Sequence, residues 1–297
     1  MLPKLVLALL VLAVAGTACG TGTAGAISGQ INVVAGENFW GSIAAQLGGA
    51  KVSVHTVVTD PNADPHEYET STQDARAFAE ADFVILNGAG YDDWGQKLLD
   101  ANSSSHRMVL NLAQLLGRKP GDNPHFWYNP GYVLTVASRI TAEYRAIDAG
   151  DASFFDQQRS AFTTALKPYT DRIAEIKSKY AGTPIGSTES IFVYMAAALS
   201  LNLISPPDFM AAVAQGTDPP VSAFAQFRDQ VAGHQIKVLV FNIQASSALT
   251  SSLRQLAPQQ MIPQVGVTET LQPLGATFQD WQAAQLTALE AALASLA

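Results

Sequence analysis

From Ile31 onwards, short apolar runs alternate with stretches whose apolar positions recur at helical spacing. Ile31-Asn32-Val33-Val34-Ala35 reads as a buried strand, and a helix follows from about Asn38 to Leu47. Val52 to Val58 predicts a second strand, Ser71 caps a helix reaching about Glu80, and strands follow at Phe83–Leu86 and Met108–Leu112. Between Gly131 and Tyr180 the strand signal stops. Apolar residues recur there at helical spacing (Val133, Val136, Ile140, Phe154, Phe162, Leu166, Ile173, Ile176), with Gly150-Asp151 and Pro168 as breaks. Two or three packed helices account for this stretch, as does one long spacer helix with irregularities. Alternation then resumes: strand 184–188, helix 190–200, helix 220–232, strand 238–241, helix 246–257, strand 262–268 and a helix from about 277.

Strands separated by helices imply parallel sheets with helices on their faces. The expected fold class is α/β, with two lobes, each a parallel-type β-sheet flanked by helices, joined by a long helical linker. The pattern divides the chain into an N-terminal lobe at 31–130, a linking segment at 131–180 and a C-terminal lobe at 181–297.

The first thirty residues follow a different pattern. Met1-Leu2-Pro3-Lys4 precedes an apolar run from Leu5 to Ala15 and then Gly16-Thr17-Ala18-Cys19. One positive charge, a short apolar core and small residues make a secretory signal over 1–18, too short for a span of about 20 residues. Cys19 stands where a lipid-modified amino terminus would begin, although Gly16 occupies a position where leucine is usual; ordinary cleavage near Ala24-Gly25-Ala26 is the alternative. Residues 19–30, rich in Gly, Ala, Ser and Thr, suit a flexible tether. The expected location is the outer face of the cytoplasmic membrane, or a soluble periplasmic one.

Cys19 is also the single cysteine, so the folded part has neither a disulfide nor a thiolate ligand. Stability must come from a large core, which 48% hydrophobic residues can supply. The formal net charge is −8, with no basic stripe to neutralise phosphates, and this argues against nucleic acid as a partner.

Candidate chemistry begins with two similar turns. Asp64-Pro65-His66 and Asn123-Pro124-His125 each place a histidine after a proline, which restricts its own φ and the residue before it. Each histidine leaves a stiffened turn, so less freedom is lost when its ring meets a ligand. Both turns follow predicted strands, and ligands in open parallel sheets bind outside the carboxyl ends of strands. Glu189 and Glu269 occupy equivalent strand ends in the second half, after Ser187-Thr188 and Val267-Thr268. Closing the lobes would bring all four together. Blander roles exist: Glu189 can complement a helix dipole, Glu269 can be a solvated turn residue, and either histidine can bond to backbone. His55, His106 and His234 read as structural or exposed.

At these residues the chain resembles the metal-binding solute receptors of ABC importers for zinc and manganese. The likeness covers about 30–297 and rests on Asp64 to Glu69, Asn123 to Pro130, Ser187-Thr188-Glu189 with Phe192 and Tyr194, Val238 to Gln244, and Val267 to Leu271. It implies metal ligation by His66, His125, Glu189 and Glu269. Asp64, Glu67, Asn123 and Asn129 are candidates for orienting the rings. It also implies one divalent ion as cargo, a permease partner, lipid anchoring through Cys19, a monomeric receptor and no catalysis. Glu189 stands where many zinc receptors have histidine, and Glu269 where aspartate is commoner. The extra carboxylate and the absence of a histidine-rich loop at 111–124 favour manganese, while the imidazole pair leaves Zn2+ slightly ahead of Mn2+. The rival readings are a metal-dependent hydrolase using the same site, a receptor for an organic solute and a surface adhesin.

Overall fold

The computed structural model describes residues 29–61 and 68–295. Its first half runs β1 (Ile31–Glu37), α1 (Asn38–Gly48), β2 (Val52–Val58), α2 (Thr72–Glu80), β3 (Phe83–Leu86), α3 (Asp93–Ala101), β4 (Met108–Asn111) and the short α4 (Leu112–Leu115). The strands pair in parallel in the order β2-β1-β3-β4. Three helices follow: α5 (Pro130–Ile147), α6 (Ala152–Ala165) and α7 (Lys167–Tyr180). The second half runs β5 (Pro184–Ser187), α8 (Val193–Ala198), β6 (Asn202–Leu203), α9 (Pro207–Ala214), α10 (Val221–Ala232), β7 (Val238–Asn242), α11 (Ala248–Gln259), β8 (Gln264–Val267) and α12 (Phe278–Ala294). Its parallel sheet has the order β6-β5-β7-β8.

Side-chain alternation along the central strands assigns each face to a different core. Ile31, Val33 and Ala35 of β1, with Phe83 and Ile85 of β3, enter one large cluster, while Val34, Val84 and Leu86 enter a smaller outer one. In the second sheet Val238 and Val240 join that same large cluster, and Leu239 faces a third. The main core is therefore continuous through both lobes. Each fully buried Val, Ile or Phe contributes about 1.5–3 kcal/mol, so wide separation of the lobes would forfeit a large share of the stability.

The helical segment combines both arrangements that the sequence allowed. Asn129 caps α5, its side chain accepting from the N–H groups of Gly131 and Tyr132, and Pro130 opens the helix where a missing N–H costs nothing. A 3₁₀ turn at Ala149–Asp151 then reverses the chain, and α6 packs back on α5 and α1. Helices α6 and α7 are nearly continuous. Leu166 between them keeps helical angles, its N–H bonds Phe162 O at 2.9 Å, and Thr170 N bonds Leu166 O at 3.0 Å. Pro168 lies in the first turn of α7, where a proline is tolerated. Since α6 packs on α1 and α7 on α12, the pair forms a spine from one lobe to the other.

Several boundaries differ from the sequence expectation. The strand read as Met108–Leu112 ends at Asn111, whose side chain accepts from Gln114 N and starts α4. The helix expected over 190–200 begins as a 3₁₀ turn, Ser190–Phe192, before α8. The pattern gave no separate signal for α3, α4, α9 or the two-residue edge strand β6.

Candidate metal centre

The carboxyl ends of both sheets face one another. In the second lobe β7 lies between β5 and β8, so the chain leaving β5 delivers Glu189 on one side of Asn242, and the chain leaving β8 delivers Glu269 on the other. From the first lobe comes His125, between Pro124 and the buried 3₁₀ turn Phe126–Tyr128. One ligand-type atom from each of His125, Glu189 and Glu269 lies within 4.8 Å of the others, and all three residues are buried.

The neighbours of His125 fix its ring. Asn123 Oδ1 is 2.7 Å from Nδ1 and also accepts from the His125 backbone N–H. The Asn123 amide is itself oriented, because its Nδ2 donates to Ser190 O at 2.8 Å. An oxygen beside Nδ1 selects the tautomer with the proton on Nδ1, and this turns the Nε2 lone pair towards Glu189 Oε1, 3.4 Å away. Two electron-rich atoms at that separation are well served by a cation. Asn87 ties the same turn to β3, its Nδ2 donating to Pro124 O at 2.9 Å.

Both glutamates are held on more than one oxygen. Glu189 Oε1 accepts from Ile191 N and starts the 3₁₀ turn, so the capping role and the site role coexist in one side chain. Its Oε2 accepts from Asn242 Nδ2 at 3.0 Å. Glu269 Oε1 accepts from the same Nδ2 at 2.7 Å, and its Oε2 accepts from Tyr91 Oη at 2.6 Å. The backbone N–H groups of Glu269 and Thr270 both donate to Gln244 Oε1.

Tyr91 reaches across the lobes because of the turn after β3. Gly88, Ala89 and Gly90 all have positive φ, and Asp92 accepts from the N–H groups of Asn87 and Gly88 at 2.6 and 2.8 Å. Only glycine suits position 88: with φ at 75°, a Cβ there would also meet Asn111 Oδ1 at 2.4 Å. Tyr91 carries no sequence signal of its own. A polar residue that ends an apolar strand, the feature that marks Glu189, would have drawn attention to Asn242.

A second acid pair adjoins this turn. Glu37, at the end of β1, is fully buried, and its oxygens receive no donor from the described residues. Burial, reinforced by Asp92, holds its carboxyl well above the usual range, and burial pushes Asp92 up to about 6. A proton on Glu37 directed at the Asp92 carboxylate satisfies both groups. Native protein therefore retains protons that the unfolded chain releases, and the associated stability is complete below the ordinary values of 4.5 for Glu37 and 3.8 for Asp92 and is lost as pH rises through the folded values. Each extra bound proton costs about 1.4 kcal/mol per pH unit in that window. Metal-free Glu37→Gln should show a flatter fall in thermal midpoint between pH 5 and 8 than the parent chain. Parallel profiles would remove the pair as the cause.

Of the other residues singled out in the sequence, His66, Asp64, Glu67 and Cys19 lie outside the described residues. Asn129 does not orient a histidine; the α5 N–H groups occupy its side-chain oxygen. His106 and His234 are exposed, while His55 Nε2 lies 3.9 Å from Asp74 Oδ1.

A family model described as the periplasmic component A of a zinc-uptake complex matches residues 33–292. The manganese ABC transporter substrate-binding lipoprotein PsaA of Streptococcus mitis is 29% identical over 204 residues, which cover 61% of this chain and 63% of that protein. The iron ABC transporter substrate-binding lipoprotein MtsA of Streptococcus pyogenes serotype M1 is 25% identical over 173 residues, 54% of each chain. These matches span less than two thirds of either relative's length. Among solved structures, the periplasmic zinc-binding protein TroA of Treponema pallidum superposes with a TM-score of 0.75 at 13% identity, covering 91% of this chain and 100% of that one. At that identity the likeness establishes the fold.

Proposed function

The chain belongs to the family of periplasmic zinc-uptake component A proteins, and from that premise we propose that it is an extracytoplasmic receptor. It captures one divalent transition-metal ion as cargo and hands it to the permease of an ABC importer without making or breaking a covalent bond. The observation that carries this reading is the buried His125–Glu189–Glu269 cluster, assembled from both lobes with its ligand atoms within 4.8 Å. Two carboxylates held together away from water are costly without a counter-charge, and a dication supplies it. His66, which follows β2 in sequence, is the fourth ligand in this proposal, and Cys19 carries the lipid anchor.

The names of relatives do not choose the metal, since PsaA is named for manganese, MtsA for iron and TroA for zinc. Zinc stands slightly ahead of manganese here, because two imidazoles suit it and the affinity order of divalent ions favours it at such sites. The continuous core argues for small lobe movements on release. Titration of the mature protein with Zn2+ and Mn2+ under chelator competition tests the proposal. One ion per chain, zinc tighter than manganese, is the expected result. No binding of either ion, or hydrolysis that depends on added metal, would overturn it.

A further inference from the structure

Helix α1 carries a polar stripe at Asn38, Ser42 and Gln46, spaced four residues apart so that all three share one face. That face meets the other lobe. Asn38 Nδ2 donates to Leu271 O at 3.2 Å and its Oδ1 accepts from Leu271 N at 2.7 Å, a reciprocal pair. Ser42 Oγ accepts from Phe278 N at 3.0 Å, and the Gln46 and Gln279 amides exchange bonds of 3.2 and 2.8 Å. Every bonded group in this seam is neutral, so salt does not screen it.

The sheet orders place the seam on one flank of the centre. Helix α1 packs on the edge strand β2, and Leu271 follows the edge strand β8. The loops after β3 and β4, and the segments after β5 and β6, reach the opposite flank. There a cavity of about 420 Å³ lies between Gly90, Gly121 and Pro124 of the first lobe and Ser190, Ala214 and Gln215 of the second. Pro124 and Ser190 adjoin His125 and Glu189 in the chain, so the cavity opens beside the centre. It has room for a cation with roughly six waters at about 30 Å³ each. The hydrogen bonds that cross beside it run through Asn123, whose Nδ2 donates to Ser190 O and whose carbonyl accepts from Tyr194 Oη. Hence, resting on the receptor reading above, we propose that the α1 seam is the edge of the receptor that stays shut, and that the cargo ion enters and leaves through the cavity on the opposite edge.

An obstruction in a passage slows entry and exit alike, because it raises one barrier from both sides and leaves the bound ion untouched. In Ala214→Trp the association and dissociation rate constants for zinc should each fall by roughly tenfold, with their ratio unchanged. Gln215→Trp, at an exposed neighbouring position, should act in the same direction and stands in if the first variant folds poorly. Ala45→Trp puts the same ring beside the seam, at an exposed position next to Gln46, and should leave both rate constants at their parent values. Stopped-flow mixing with zinc and with a chromophoric chelator measures each of them. Parent-like rates in both cavity variants, or slowing in Ala45→Trp, would overturn the proposal. So would a weaker dissociation constant at unchanged association, since the ring would then be disturbing the bound centre. If the parent chain binds no zinc, the receptor reading itself fails and takes this proposal with it. Parent binding with unaltered exchange in the cavity variants defeats the passage alone.

Discussion

Glu189→Gln should weaken zinc binding by more than about a hundredfold while leaving the metal-free protein close to its original stability. Residues that merely orient a ligand typically cost 10–100-fold when lost, and a proposed ligand should cost more. The choice of glutamine matters. Glu189 Oε1 also accepts from Ile191 N, so alanine would remove a cap costing about 1 kcal/mol together with any metal bond. Glutamine keeps an oxygen for that N–H but loses the negative charge; its amide nitrogen then faces Asn242 Nδ2, and the hydrogen bond lost there is set against the removal of one of two adjacent buried charges. His125→Ala should lose affinity to a similar extent, since Nε2 faces Glu189 across 3.4 Å. Two measurements check this: a chelator-competition titration, and the rise in thermal midpoint on adding zinc. The rise should be large for the parent, about 2.7 kcal/mol of stabilisation at a hundredfold excess over the dissociation constant, and nearly absent for the variants. Parent-like zinc affinity in Glu189→Gln would exclude Glu189 from the site.

The parts of this centre visible in the sequence are those with strong local chemistry. A proline before a histidine, or an acid closing an apolar strand, is legible without knowing what lies opposite, and His125, Glu189 and Glu269 all carry such a mark. Tyr91 lacks one, and Asn242 carries only the weaker mark of an amide closing an apolar strand, because their roles exist only across the fold. Tyr91 matters through a turn of three positive-φ residues that aims it at a glutamate in the other lobe, and Asn242 through the two strands beside it. The pairing of buried Glu37 was equally illegible, since its neighbour Asp92 arrives from the turn between β3 and α3. At the level of the fold, strands with four or more apolar residues announced themselves. The two residues of β6 carry too little pattern, and their parallel pairing with β5 places them at an edge.

Trp127→Ala should be among the most destabilising single changes, and it should also weaken metal binding, although the side chain is not a proposed ligand. Trp127 is fully buried and stacks on Phe39 with ring centroids 4.0 Å apart. It also meets Tyr91 at 5.1 Å and His125 at 5.2 Å. No described residue provides a hydrogen-bond partner for its indole Nε1, so the ring acts there as an apolar block. Truncation to alanine opens a cavity and costs about 3–5 kcal/mol. At about 2–4 °C per kcal/mol, the thermal midpoint should fall by roughly 6–20 °C. The affinity effect follows from the same contacts, because one ring packs against both His125 and the tyrosine that holds Glu269. Its loss should lower zinc affinity by about 10–100-fold, the range for groups that orient ligands. Phe39→Ala supplies the comparison: it removes the other half of the stack, and the ring contacts of Phe39 are with Trp40, Trp127 and Trp281. Both variants should melt early, and only Trp127→Ala should bind zinc weakly. Equal affinities in the two would mean that the stack supports the N-terminal lobe without orienting the centre.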